Sequence, residues 1–263
     1  MTNINLDSLK KLEMSIEKHV RPDTFPLAMR VFKDHELLPE KVKRPKQDLD
    51  KTFSICQGVT MARRYGWALA MNNEDLSCPI AKIAFGFEEE LPFYSKGSLT
   101  DGMYTKTCDL GEKTEAAVPK FSKEESGTVV MSPLSRTDFE PEVIVIYGNS
   151  AQVMRMVAAA LFTTGGEISS TFTARADCAD IVIKTIKTEQ PQVILPCYGN
   201  RVFGQTQDHE MAFSLPYSFV HAFLEGLEGT HRGGVRYPIP NFLHYEAKYP
   251  STYEKLNSMF DDK

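Results

Sequence analysis

Hydrophobic and polar positions along this chain follow two different periods, and each predicts its own kind of element. From Met1 to Val20, apolar residues recur every three or four positions among Lys, Glu and Ser, which predicts an amphipathic helix. FPLAMRVF (Phe25 to Phe32) is a short apolar run that predicts a strand, and a polar, proline-punctuated loop follows to Asp50. Ser54 is placed to cap a helix from Ile55 to Tyr65, which Gly66 stops. WALAM (Trp67 to Met71) predicts a strand, and CPIAKIAFGF a helix beginning at Cys78, with Pro79 in its first turn. Residues 88–126 are polar and rich in Gly, Lys and Glu, and predict a helical excursion with loops.

Strands resume at GTVVMSPL (Gly127 to Leu134) and EVIVIYG (Glu142 to Gly148). A helix capped by Asn149 or Ser150 then runs through Phe162 and closes at Gly165-Gly166. After it the pattern predicts a strand EISSTFTA, a helix from Cys178 to Lys187, a strand QVILPC, a strand MAFSLP and a helix from Tyr217 to Gly226. This alternation predicts an α/β or α+β fold, a mixed sheet covered by helices. We expect one domain over residues 1–228, with 88–126 inserted on its surface, and a wrapping tail over 229–263. An internal duplication is also suggested. A helix near Gln57 and one starting at Cys78 echo a helix near Gln152 and one starting at Cys178.

Composition narrows the function classes. The net charge of −5 gives no basic surface for nucleic acid, and the short run KVKRPK (Lys41 to Lys46) reads as a solvated loop. No apolar run approaches the roughly 18 residues of a membrane helix. The first residues do not resemble a secretory signal. A cytoplasmic protein is therefore expected, and in that compartment its five cysteines are candidates for metal binding, catalysis or burial rather than disulfides.

Four of those cysteines share a local setting. Cys56, Cys78 and Cys178 fall at predicted helix starts, and Cys197 ends a predicted strand. In a sheet with parallel strands such positions lie along one edge, where ligands bind. A helix start also favours thiolate, the form that binds metal or attacks as a nucleophile. Cys108 lacks such a setting. The spacings of 22 residues (56 to 78) and 19 residues (178 to 197) match no zinc-finger pattern. Buried packing cysteines, a soft-metal or iron–sulfur site, and thiol chemistry all remain open on spacing alone. No phosphate-binding glycine loop, nucleophile elbow or H-E-x-x-H motif is present. Asp208-His209-Glu210 reads as an exposed turn. Arg155, on an apolar helix, calls for a buried partner or an anion, and Arg201 is the better anion-binding candidate.

The ordered stretches FSICQGVTMARRYG, EDLSCPIAKIAFGF, VVMSPL, EPEVIVIYGNSAQVMRMV, DCADI, LPCYGNR and DHEMAFSLP resemble the uncharacterised ArCR family, family 169 of the domains of unknown function. The resemblance runs from about Phe25 to Leu227. It implies family positions at Cys56, Cys78, Cys178 and Cys197, at Pro133-Leu134, at Gln152 and Arg155, and from Gly199 to Arg201. Some relatives carry a further cysteine where this chain has Asn200, so a scheme with a fifth thiolate does not carry over. The family occurs in archaea and anaerobic bacteria, which implies anaerobic metabolism. Taken with the cysteine settings, the expectation is a cytoplasmic redox protein holding a [4Fe–4S] cluster on these four cysteines. Arg155 and Arg201 would be its cofactor- or anion-binding residues, and a small-molecule substrate or redox protein its partner. The alternatives are a metal-free protein binding a small anionic or cofactor-like ligand, and a cysteine-thiol enzyme.

Overall fold

The computed structural model describes residues 6–34, 36–239 and 247–261. The expected helix at residues 1–5 and parts of the tail (240–246, 262–263) lie outside the described residues. Along the chain run α1 (Leu6–His19), β1 (Leu27–Phe32), α2 (Pro45–Leu49), α3 (Ile55–Tyr65), β2 (Leu69–Met71), α4 (Pro79–Ala84), α5 (Pro92–Ser95), α6 (Cys108–Ala116) and β3 (Thr128–Pro133). There follow β4 (Val143–Gly148), α7 (Ser150–Leu161), α8 (Asp177–Ala179), α9 (Thr185–Thr188), β5 (Gln192–Ile194), α10 (Tyr198–Phe203), β6 (Met211–Pro216), α11 (Val220–Arg232) and α12 (Ser251–Asp261). A π-helical turn, Asp180–Lys184, joins α8 to α9 as one helical run. No helix among the described residues is long and apolar enough to cross a membrane.

Helices and strands mix as the hydrophobic pattern implies, but the six strands pair antiparallel throughout, in the order β2-β3-β1-β4-β6-β5. The parallel-edge argument for the cysteines therefore does not apply. Alternate residues of each strand face opposite sides. Leu27, Met29, Val143, Val145 and Tyr147 enter one core with α3 and the α8–α9 run. Ala28, Ile144 and Ile146 enter the other, with α1, α7 and α11. Both faces are covered, which explains why VIVIYG is buried along its whole length.

The expected duplication is visible in the sheet. The order is the same read outward from the β1–β4 pair, which is centred on Ala28 opposite Ile144. The register repeats as well. Leu27 and Val143, the first residues of β1 and β4, oppose the terminal prolines Pro133 and Pro216. Leu69 and Gln192, which open β2 and β5, oppose the residues two positions before those prolines, Met131 and Ser214. Each proline leads into a single 3-10 turn.

The helices that correspond are not the ones the sequence pairs. The helix carrying Gln152, α7, packs on the opposite face from α3. The counterpart of α3 on the same face is the α8–α9 run, which likewise ends in a left-handed residue: Gly66 (φ 72°) in one case and Glu189 (φ 51°) in the other. Cys56 and Cys178 each occupy the second position of these helices, and Cys78 and Cys197 are the N-caps of α4 and α10, which follow β2 and β5. The four cysteines are thus two symmetry-related pairs.

Two other expectations are corrected. EISSTFTA forms no strand, because beside it the edge strand β5 gives the N–H of Val193 to the Ser170 hydroxyl (2.9 Å) instead of to a backbone ladder. QVILPC stops pairing at Ile194, two residues before Pro196, which has no N–H to donate, so Cys197 caps a helix. Val118 and Phe121 of the 88–126 segment join the core, and α11 ends at Arg232.

Candidate functional site

The first-half cysteine helix, α3, packs against α10 of the second half, and the second-half cysteine helix, α8, packs against α4 of the first. This crossed packing over the face of the sheet brings Cys56, Cys78, Cys178 and Cys197 to the wall of one cavity of about 330 Å3. Convergence therefore happens across the pseudo-twofold axis. Cys108 does not line this cavity; its thiol donates to Asp101 Oδ2 at 3.3 Å, on the surface of the inserted segment. All five cysteines are free thiols.

Local sequence explains how each thiol is held. Ser54 and Gln57 form a reciprocal capping box that fixes the start of α3. The Ser54 hydroxyl lies 3.0 Å from Cys56 Sγ. Pro79 and its fixed φ set the start of α4 immediately after Cys78. Cys197 donates its thiol proton to Asp177 Oδ1 at 3.1 Å, and Asn200 Nδ2 donates to Asp177 Oδ2. Asn200 Nδ2 also donates to the Tyr147 hydroxyl (3.2 Å), while its Oδ1 accepts from Thr206 (2.8 Å).

Behind this network Arg63, fully buried, lies 4.1 Å from the Tyr147 ring centre and donates to both Glu210 oxygens, at 2.5 and 3.1 Å. Burial alone would raise the Glu210 carboxyl. Hydrogen bonds from Arg63 and the Gln207 N–H, with the charges of Arg63 and Arg64, hold it below the usual range instead.

Burial dominates the electrostatics of the cavity. It pushes Cys56 up to about 11 and Cys197 up to about 12, with the negative charge of Asp177 adding to both. Cys178 is also raised well above its ordinary value, first by burial, then by Asp177 and then by the other three thiols. Burial also raises Asp177, against the hydrogen bonds from Asn200 and Cys197. The Cys56, Cys178 and Cys197 thiols thus stay protonated unless a cation joins them. Among the described residues, no three or more His, Cys, Asp or Glu side chains stand close enough together to hold a metal ion.

The two arginines expected here lie elsewhere. Arg155 is buried on the other face of the sheet, donating to the Thr230 hydroxyl and the Leu227 carbonyl, each at 2.6 Å. It thus has the buried partners its sequence context called for, and they are neutral oxygens rather than an anion. Arg201 donates to the Gln207 carbonyl (2.8 Å) and borders a separate surface hollow with Asp208 and His209. The Asp208-His209-Glu210 turn is exposed at its first two residues, but Glu210 is buried on Arg63.

The arginine that does line the cavity is Arg175, with Tyr104 beside it. Sequence reasoning passed over Arg175 and Asp177, and weighed Asn200 only as the replacement of a cysteine. The signal for the first two was the pair of charges in ARADC, placed directly before a cysteine in an otherwise apolar context.

The fold and cavity define a three-layered α/β protein, an antiparallel sheet between two helical layers, with a four-thiol site on its pseudo-twofold axis. The chain belongs to the uncharacterised ArCR family, whose model matches residues 15–226. It is 27% identical over 208 residues to the uncharacterized protein MJ0308 of Methanocaldococcus jannaschii, across 77% of this chain and 86% of that one. No solved structure matches it.

Proposed function

We propose that the four-thiol cavity holds an iron–sulfur cluster of the [4Fe–4S] type and that the protein is a cytoplasmic redox protein of anaerobic metabolism. The observation that carries this reading is the gathering of four of the five cysteines, from four different elements, on one cavity wall. A single zinc ion needs every donor within about 2.3 Å of one point, and the thiols are not so gathered. A cluster instead takes each thiolate on a different iron, so its ligands line a cavity. When bound, it would supply one-electron chemistry at the centre of the fold.

Asp177 stands in the cavity wall among the thiols, accepting hydrogen bonds from Asn200 and Cys197. An activated catalytic thiol is the weaker reading, because Cys56, Cys178 and Cys197 are all pushed up rather than down.

The test is to purify the protein without oxygen, or to reconstitute it with iron and sulfide, and record its visible absorption. A brown, sulfide-dependent chromophore that bleaches with dithionite is expected. A colourless protein after reconstitution ends the iron–sulfur reading.

A further inference from the structure

We propose that the same cavity binds a small carboxylate with an apolar body, and that Arg175 is the residue that receives it. The proposal rests on the thiol cavity being the working site, but not on what the thiols hold. Arg175 is only 9% exposed and lines the cavity. Its Nε and Nη2 both contact Glu115 Oε1 at 2.7 Å, a side-on pair with a fully buried carboxylate. That pairing leaves the outer edge of the guanidinium, Nη1 with the second proton of Nη2, free for another carboxylate. Among the described residues Nη1 has no hydrogen-bond partner. A guanidinium fork matches a carboxylate in two parallel hydrogen bonds, a geometry that lysine cannot reproduce.

The surroundings define the rest of the ligand. The Tyr104 ring centre lies 4.2 Å from the guanidinium carbon and holds its plane. Ile80, Tyr198 and Phe203 supply apolar lining, and Gln57 and Ser77 a few polar groups. A volume of about 330 Å3 fits a small organic acid, and an apolar wall with few convergent polar groups is the usual make-up of such sites. Asp177 is the one carboxylate residue in the lining. Its two oxygens are committed to Cys197 and Asn200. Because Glu115 pairs with Arg175 from the inserted segment, the insertion supplies both the counter-ion and the aromatic cover of this subsite.

Benzoate is the probe. Its binding to the full-length protein is to be followed by calorimetry, and its location by protection of Cys56 and Cys78 from iodoacetamide, mapped by mass spectrometry. The wild type should bind with a dissociation constant in the millimolar range or tighter and show slower alkylation at both thiols. Arg175→Lys keeps a charge for Glu115 and should weaken binding about tenfold or more. Tyr104→Ala alters only a partly exposed ring and should weaken it several-fold, which keeps the test open if Arg175→Lys fails to fold. Absent binding, unchanged alkylation, or full affinity in a folded Arg175→Lys or Tyr104→Ala protein would overturn the proposal. Benzoate binding by a protein that takes up no iron would remove the cluster and leave this subsite; a loaded cluster without benzoate binding would do the reverse.

Discussion

Asp180 illustrates what burial does to single residues around this site. It is 6% exposed, in the π-helical turn behind Cys178, and burial raises its carboxyl to about 7; Lys184 opposes the shift and Asp177 adds to it. The unfolded value is near 3.8. Between the two values the folded protein keeps a proton that the unfolded chain has lost. Stability from this group is therefore full below about pH 4, falls as pH rises through about 7, and is flat above. The gap corresponds to at most about 4 kcal/mol. Asp180→Asn, which cannot titrate, should gain roughly 1–3 kcal/mol over wild type at about pH 8 relative to about pH 5, read from urea midpoints. Parallel pH profiles for the two proteins would mean that Asp180 is not buried as described. Sequence inspection found none of this, since an acid one helical turn into DCADI looks like any N-terminal helix acid. What made the four cysteines legible was their position at the predicted ends of elements, three at helix starts and Cys197 at a strand end, a local property. The roles of Asp177, Asn200 and Arg175 depend on partners 20 to 60 residues away, which no local pattern encodes.

At the scale of elements, most boundaries followed local chemistry. Ser54 and Asn149 each form a capping box with a glutamine three residues on, and both helices start where those residues predict. Misreadings arose where a tertiary partner decides. The strand-like EISSTFTA has no ladder partner, and α10, six residues long, has too few positions for a period to show. Strand direction was invisible as well, because buried parallel and antiparallel strands have the same apolar pattern when both faces are covered. One helix crossing depends on a single residue. A Cβ on Gly226 of α11 would lie 1.8 Å from the Ala159 carbonyl of α7. Gly226→Ala must therefore force the two helices apart, stretching the Arg155 bonds to Leu227 and Thr230. We expect a loss of about 2 kcal/mol or more in urea unfolding, with iron content unaffected in the folded fraction, since this crossing lies on the face away from the thiols. A variant as stable as wild type would show that α7 and α11 do not approach so closely.

For the whole molecule, the pseudo-twofold axis is the organising feature. Each half contributes one cysteine at the second position of a helix and one as an N-cap, and the halves interlock so that neither can assemble the site alone. The duplication was legible as an alternation of elements, but the sequence matched the wrong helices, because facing is set by packing rather than by order along the chain. The central claim is that these four thiols, and not Cys108, form one metal-binding unit. Its most direct measurement is iron and sulfide analysis of the anaerobically reconstituted wild type beside five single Cys→Ser variants. About four irons and four sulfides per chain are expected for wild type and for Cys108→Ser, with substantial loss in each of Cys56→Ser, Cys78→Ser, Cys178→Ser and Cys197→Ser. Iron that is absent from wild type, or that survives in all four of those variants, would contradict the account.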